Sequence, residues 1–207
     1  MLDSHSFLNL VDTSKNIIVA FSGGGDSTAL LHYCFELKQK NKFEGMLSAI
    51  HVNHLLSPSA KIWEEHCKNF CNERDIPILC RSINVDGKKS GLESAAREGR
   101  YDIFKQNLKP GDQLLLAHHA DDVAETLLFR LFRGTGIDGL RGPLQNRSLG
   151  DGILLRPWLD CSKIELVAYL KEKQLSFIED ESNDCNDQDR NFIRNEILTM
   201  ISDRWPQ

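Results

Sequence analysis

The sequence predicts an α/β fold: a doubly wound, mostly parallel five-stranded sheet with a small helical C-terminal extension. Three observations carry that expectation. Apolar runs and helical patterns alternate from near the N-terminus almost to residue 175. The runs are apolar along their whole length instead of at every second residue, as strands are when helices cover both faces of a parallel sheet. The length of 207 residues suits one well-buried core, since such a chain hides roughly 70% of its extended surface on folding.

Asn16-Ile-Ile-Val-Ala-Phe21 reads as the first strand, and Asp26 to about Gln39 as a helix with Leu30, Leu31, Cys34 and Leu37 on its inner face. Met46 to Val52 is the second strand, Ala60 to Arg74 a helix, and Pro77 to Ile83 the third strand. A helix from Leu92 to Leu108 is stopped by Pro110-Gly111. Gln113 to Ala117 is the fourth strand, Asp121 to Arg133 a helix, and Gly152 to Arg156 a short fifth strand. Between them, Gly134 to Gly150 holds five glycines, a proline, Arg141 and Arg147 without apolar periodicity, so a long functional loop is expected there. Glu179 to Asp189 carries six acids and no base, and a helical pattern resumes with Arg190-Asn-Phe-Ile-Arg194. The expected division is 1–160 for the sheet domain and 161–207 for the extension packed on it.

Composition excludes several classes. With 41% hydrophobic and 27% charged residues, the chain is neither disordered nor collagen-like. Its 25 Lys plus Arg against 30 Asp plus Glu give a net charge of −5, so a nucleic-acid partner needs a local basic face. No stretch approaches the ~18 apolar residues of a membrane span, and the start lacks a basic run before an apolar core. A cytoplasmic protein without a membrane partner is expected. The six cysteines, at 34, 67, 71, 80, 161 and 185, form no CxxC pair and read as reduced, mostly buried thiols.

The chemistry collects at strand ends, where ligands bind in parallel sheets. Ser22-Gly-Gly-Gly-Asp-Ser27-Thr28 lies between the first strand and first helix. Three glycines let backbone N–H groups form an anion nest, and the helix N-terminus adds donors and dipole. The alternative is a glycine turn capped by Asp26 or Ser27. The loop is neither GxGxxG nor a Walker loop. After the fourth strand comes His118-His-Ala-Asp-Asp122-Val-Ala-Glu125. Asp122 and Glu125, three apart on a helix, share a face. Asp121 can equally serve the helix dipole. Oxygen ligands beside a phosphate nest favour magnesium, with zinc as the local alternative. The second strand ends in His51-Val-Asn-His54, which sends His51 and Asn53 to one side.

SGGGDS resembles the SGGxDS loop of the PP-loop ATP pyrophosphatases. Within that superfamily, HVNH (51–54), GLESAAREGRY (91–101), HHADDVAET (118–126), RGTGIDGL (133–140), RPWL (156–159), IEDESN (178–183) and RNFIR (190–194) resemble, in order, the motifs of the tRNA(Ile)-lysidine synthetase family. The resemblance implies a Rossmann-like, adenine nucleotide alpha hydrolase-like fold and a ligase using ATP and Mg²⁺. Such a ligase adenylates the wobble cytidine of an isoleucine tRNA with a CAU anticodon, and free L-lysine then displaces AMP. It implies catalytic roles for Asp26, Asp122, Glu125, Arg100 and Arg194, with metal at Asp26 and Asp122. Nucleotide contacts fall on Ser22, Gly23, Gly24, Gly25, Asp26, Ser27, Thr28, His51, Asn53 and His119. RNA contacts fall on Arg133, Arg141, Arg147 and Arg190. For Arg100 and Arg194 a salt bridge to the acidic run is the alternative. Arg130, Arg133, Arg141 and Arg147 against Asp138 supply the local basic face. Further C-terminal tRNA-binding domains, common in the family, are expected to be absent at this length. The rivals are a PP-loop tRNA thiolase, disfavoured without CxxC, and a non-catalytic ATP-binding module. Oligomeric state stays open, a homodimer being one option.

Overall fold

The computed structural model describes residues 4–55, 57–83, 92–179, 186 and 188–205. A short helix α1 (Ser4–Leu10) leads into β1 (Ile17–Ala20), α2 (Gly25–Gln39), β2 (Leu47–Asn53), α3 (Ala60–Asn72) and β3 (Ile78–Ser82). Then follow α4 (Leu92–Asn107), β4 (Gln113–Leu115), α5 (Ala120–Phe132), a 3₁₀ turn (Ile137–Leu140), β5 (Asn146–Leu149) and β6 (Gly152–Leu155). The C-terminal part is α6 (Lys163–Glu172), α7 (Asp189–Phe192), a π turn (Ile193–Ile197) and α8 (Leu198–Arg204).

One sheet in the order β3-β2-β1-β4-β6-β5 organises the chain. Five strands are parallel, with registers such as Val19 beside both Ala49 and Leu115. The sixth corrects the expected count of five: β5 runs antiparallel to β6 at the edge. The residues responsible lie in the stretch expected to be loop. Gly150 adopts φ +58°, and Gly150-Asp151 closes a two-residue hairpin between Leu149 and Gly152. Three of the four β5 residues are exposed, so the strand has no apolar run to announce it.

Strand side chains alternate between two cores. Ile17, Val19, Phe21, Leu115 and Leu155 join Leu30, Leu31 and Cys34 of α2, Cys67 and Phe70 of α3 and Leu166 and Leu170 of α6. On the other face, Leu114, Leu116 and Leu154 pack with Tyr101, Phe104 and Leu108 of α4 and with Leu149. Each buried Leu or Ile contributes roughly 1.5–3 kcal/mol, which is why apolar runs on both faces dictate a covered sheet.

The C-terminal part contacts the rest of the fold at several places. Lys173 and Tyr169 of α6 reach Glu36 of α2 at 2.7 and 3.2 Å. Ile178 forms a β-bridge with Gly24. α7 packs on α5. Among the described residues, Cys34, Cys67, Cys71 and Cys80 are free thiols, the first three being buried; Cys185 lies outside the described residues, as does most of the acidic run. No helix among the described residues is long and apolar enough to cross a membrane.

Candidate active site at the switch between β1 and β4

From β1 the chain builds outward through β2 and β3, then returns to lay β4 on the other side of β1. The loops leaving β1 and β4 diverge at that reversal and open a crevice, the position of ligands in doubly wound sheets. Both polar loops singled out in the sequence sit there.

The β1–α2 loop is shaped by its own hydroxyls. Ser27 Oγ donates to the Gly24 carbonyl and lies 3.0 Å from Ser22 Oγ, while Ser22 N donates to Ser27 Oγ at 3.2 Å. Fully buried Thr28 donates from Oγ1 to the Gly23 carbonyl at 3.2 Å. Gly23 has φ +89°, and a Cβ there would stand 2.5 Å from Ile178 Cδ1 and 3.0 Å from Cys67 Sγ. Helix α2 starts at Gly25 with Gly24 as N-cap and no side-chain cap bond. The first-turn N–H groups of such a helix lack intrahelical acceptors, so they are available to an anion. Neither Asp26 nor Ser27 is the cap, which removes the glycine-turn alternative in its capped form.

Asp26 is in the first turn of α2, where Lys163 Nζ contacts its Oδ1 and His119 Nε2 stands 3.5 Å from its Oδ2. Burial pushes the Asp26 carboxyl upward, but His119 and Lys163 outweigh it and hold the group below the ordinary aspartate range. His119 is the N-cap of α5, and the same Nε2 lies 3.6 Å from Asp122 Oδ2. Burial opposes its charge, yet Asp26 and Asp122 win and raise its pKa. Asp122 Oδ2 also accepts from His119 N at 3.0 Å, fixing the start of α5. Asp121 Oδ2 accepts from Lys163 N at 2.9 Å, joining the first turn of α6 to α5, and lies 3.5 Å from His119 Nδ1.

Glu125, one turn further along α5, is 3% exposed and paired with Arg194 of the π turn. Arg194 donates from Nε to Oε1 at 2.5 Å and from Nη2 to Oε2 at 2.9 Å, a bidentate pair. Among the described residues the carboxylate partner of Arg194 is therefore Glu125. Hydrogen bonding to Glu125 raises the Arg194 pKa further.

The donor set fits magnesium. Asp26 and Asp122 bring two carboxylates to one ring nitrogen, and Mg²⁺ typically takes one or two protein carboxylates with waters and phosphate oxygens completing its shell. Among the described residues no group of three or more His, Cys, Asp or Glu side chains is placed to hold a metal, as a zinc site requires.

The other expected contacts divide. His51, on β2 beside β1, donates from Nδ1 to the Phe21 carbonyl at 2.9 Å, while its buried Nε2 has no partner among the described residues. Burial lowers its pKa, so a neutral ring stands at the crevice wall. Asn53 is committed elsewhere: Nδ2 donates to Ala60 O and Glu64 Oε2, and Oδ1 accepts from Leu55 N, closing the β2–α3 turn. Arg100, on α4, is half-buried, and its charge helps push His54 and His118 down to about 4, burial being the larger cause for both. The arginines expected to bind RNA form two groups. Arg133 and Arg190 lie over the Phe129 ring at 4.5 and 5.8 Å, and Arg147 lies over Tyr101 at 4.9 Å. Arg141 is exposed, and its carbonyl is held by Arg130, which pins the 3₁₀ segment.

Sequence reasoning missed Lys163. A helix start was legible in Ser162-Lys-Ile-Glu165, where Ser162 and Glu165 cap each other reciprocally, but its neighbours across the fold were not.

A family model described as a PP-loop domain, ATP_bind_3, matches residues 3–201. The chain belongs to the PP-loop domain family. It is 41% identical over 192 residues to a tRNA(Ile)-lysidine synthase of Legionella pneumophila, covering 93% of this chain and 44% of the relative. It is 45% identical over 189 residues to that of Pseudomonas fluorescens, covering 91% and 42%. For the Haemophilus influenzae protein the figures are 42% over 196 residues, 93% and 45%. The chain thus spans less than half the length of these curated relatives. Among solved structures, a U34-tRNA thiolase, NcsA, from Methanococcus maripaludis with its [4Fe-4S] cluster superposes with a TM-score of 0.74 at 15% identity, covering 98% of this chain and 72% of that one. That likeness establishes the PP-loop fold. Cys34, Cys67 and Cys71 are buried, and burial raises all three thiols above the ordinary range.

Proposed function

We propose that the chain carries the catalytic centre of a tRNA(Ile)-lysidine synthase, joining free lysine to the wobble cytidine of an isoleucine tRNA with a CAU anticodon. The observation that carries this reading is the convergence of Asp26, Asp122 and the Glu125–Arg194 pair beside the SGGGDS loop, in a chain 41–45% identical to proteins of that name.

In this reading the N–H groups of Gly23 to Gly25 and the α2 N-terminus receive ATP phosphates, with His51 and His119 at the crevice wall. Asp26 and Asp122 would hold Mg²⁺, which when bound neutralises charge gathering on the leaving pyrophosphate. The cytidine carbon-2 oxygen attacks the α-phosphorus; a P–O bond forms as the bond to pyrophosphate breaks. The lysine amine, unprotonated, then attacks carbon-2, and AMP leaves with the C–O bonding electrons. The proton lost by the amine goes to a carboxylate or phosphate oxygen. Arg194 and Arg100 supply fixed positive charge for phosphate or the developing oxyanion.

The test is direct. Purified protein with Mg-ATP, labelled lysine and a transcript of the matching tRNA incorporates label and releases one pyrophosphate per lysine. Normal ATP binding without lysine transfer overturns the assignment and leaves the PP-loop family alone.

A further inference from the structure

A second polar cluster meets His118, the residue before His119. Buried Tyr101 of α4 is met by three guanidinium groups. Arg97 lies 5.1 Å from the ring centroid and donates from Nη2 to the phenol oxygen at 3.4 Å. Arg147 of β5 lies 4.9 Å from the same ring. Arg156, 4% exposed at the end of β6, donates from Nη2 to the phenol oxygen at 3.4 Å, from Nε to His118 Nδ1 at 3.0 Å and from Nη1 to the Leu144 carbonyl at 2.6 Å.

Every partner named is neutral. Among the described side chains, none of the three arginines is within 4.0 Å of a carboxylate. A buried cation without a counter-ion, as Arg156 is here, is costly to desolvate, and three like charges around one ring add repulsion. The cluster already distorts its neighbours: burial would raise the Tyr101 pKa, yet Arg97, Arg156 and Arg147 outweigh it and lower it. Such an arrangement is complete only with an anion.

We propose that Arg97, Arg147 and Arg156, gathered on Tyr101, form an oxyanion subsite that takes a phosphodiester of the RNA strand entering the active site. This rests on the lysidine synthase reading for the identity of the strand. Two facts favour a phosphodiester over a small carboxylate. Arg97 and Arg147 are exposed while Arg156 is buried, so the site is open outward, toward a ligand whose bulk stays in solvent. Arg156 Nε meets His118 Nδ1 at 3.0 Å, and the next residue, His119, stands 3.5 Å from Asp26 and 3.6 Å from Asp122, so the cluster adjoins the carboxylates through two consecutive histidines. Planar guanidinium groups match phosphate oxygens in pairs. The buried Arg156 also holds the Leu144 carbonyl, anchoring the segment that carries Arg147.

The experiment measures tRNA affinity of the whole chain across a salt series, by fluorescence anisotropy, for the wild type, Arg97→Gln, Arg147→Gln and Arg147→Lys. Each glutamine variant is expected to weaken binding and lower the slope of log affinity against log salt by about 0.7–0.9, with Arg147→Lys restoring the slope. ATP affinity, read separately, stays at the wild-type value. Unchanged slopes in folded glutamine variants overturn the subsite. A raised KM for lysine with unchanged tRNA binding also overturns it, by making the anion the lysine carboxylate. A wild type that binds tRNA with the full slope but transfers no lysine sinks the lysidine reading instead, while the variants still decide the subsite.

Discussion

Lys163 of α6 and Asp26 of α2, 137 residues apart in sequence, meet at the mouth of the nucleotide loop, with the ammonium on the carboxylate that the proposed metal needs. The Lys163 side chain is 44% and the Asp26 side chain 32% exposed, and pairs this open contribute at most about 1 kcal/mol to stability. The contact matters more as an internal cation at a cation site. Lys163→Met should leave the melting temperature within a few degrees of wild type. It should raise the affinity for Mn²⁺ measured without ATP by roughly fivefold, the equivalent of about 1 kcal/mol of removed repulsion. An unchanged Mn²⁺ affinity would make Lys163 a strut between helices and nothing more.

Asp26→Asn separates chemistry from folding. Because Gly24 is the N-cap, Asp26 adds only its charge to the first turn, worth about 0.3–1 kcal/mol. The variant should fold, bind ATP more weakly in magnesium, and lose roughly 10²–10³-fold in lysine transfer, the scale on which electrostatic stabilisers act. Single-turnover assays with a matched thermal melt check it; activity near wild type would reduce Asp26 to a helix-dipole residue.

The Glu125–Arg194 pair joins α5 to the π turn, and its two ends differ in burial: the glutamate side chain is 5% exposed and the arginine 41%. Removing the arginine therefore strands a buried carboxylate, whereas removing the glutamate frees a half-exposed cation. Arg194→Ala is expected to destabilise by about 1–3 kcal/mol, more than Glu125→Gln, which keeps shape and some hydrogen bonding. Both should abolish most lysine transfer. Urea titration orders the two; a more stable Arg194→Ala would contradict the role given to the pair.

How much of this was legible in sequence follows from the range of each signal. The parallel strands announced themselves because both faces are buried, and the SGGGDS loop stood out by its three consecutive glycines between a strand and a helix, although an anion nest and a plain glycine turn were equally open from those residues alone. β5 was hidden since Asn146, Arg147 and Ser148 face solvent, although Leu149-Gly-Asp-Gly152 carried a hairpin turn. Asp121, Asp122 and Glu125 could be put on one helix turn by spacing, but not told apart. Only the fold reveals that Asp121 serves α6, Asp122 the crevice and Glu125 an arginine 69 residues away. Asn53 shared the strand face of His51 as alternation required, and a turn hydrogen bond to Leu55 N claimed it. Lys163 carried no local signal of its partners, and Arg156 only its place at the head of RPWL, because what defines both is a contact made in three dimensions.

Acid should unfold the protein through two histidines. His54 and His118 are pushed down to about 4, by burial first and then by neighbouring charges, so both are neutral in the fold at pH 6. His118 accepts from Arg156 Nε through Nδ1, a bond that a proton on that nitrogen destroys. In the unfolded chain each histidine takes its proton near pH 6.5. The unfolded state therefore binds more protons between pH 6.5 and 4, and stability falls as pH drops across that window. His119 works in the opposite sense: its raised pKa contributes stability below pH 6.5 that is lost as pH rises through the folded value. Asp26, held low, keeps its contribution until the pH falls below the ordinary aspartate range. The net expectation is a melting temperature that declines from pH 6.5 to 4, with a shallower decline in His118→Asn, whose side-chain oxygen can accept from Arg156 without titrating. Parallel curves for wild type and variant would show that His118 is protonated in the fold as readily as in the unfolded chain, contradicting the burial assigned to it.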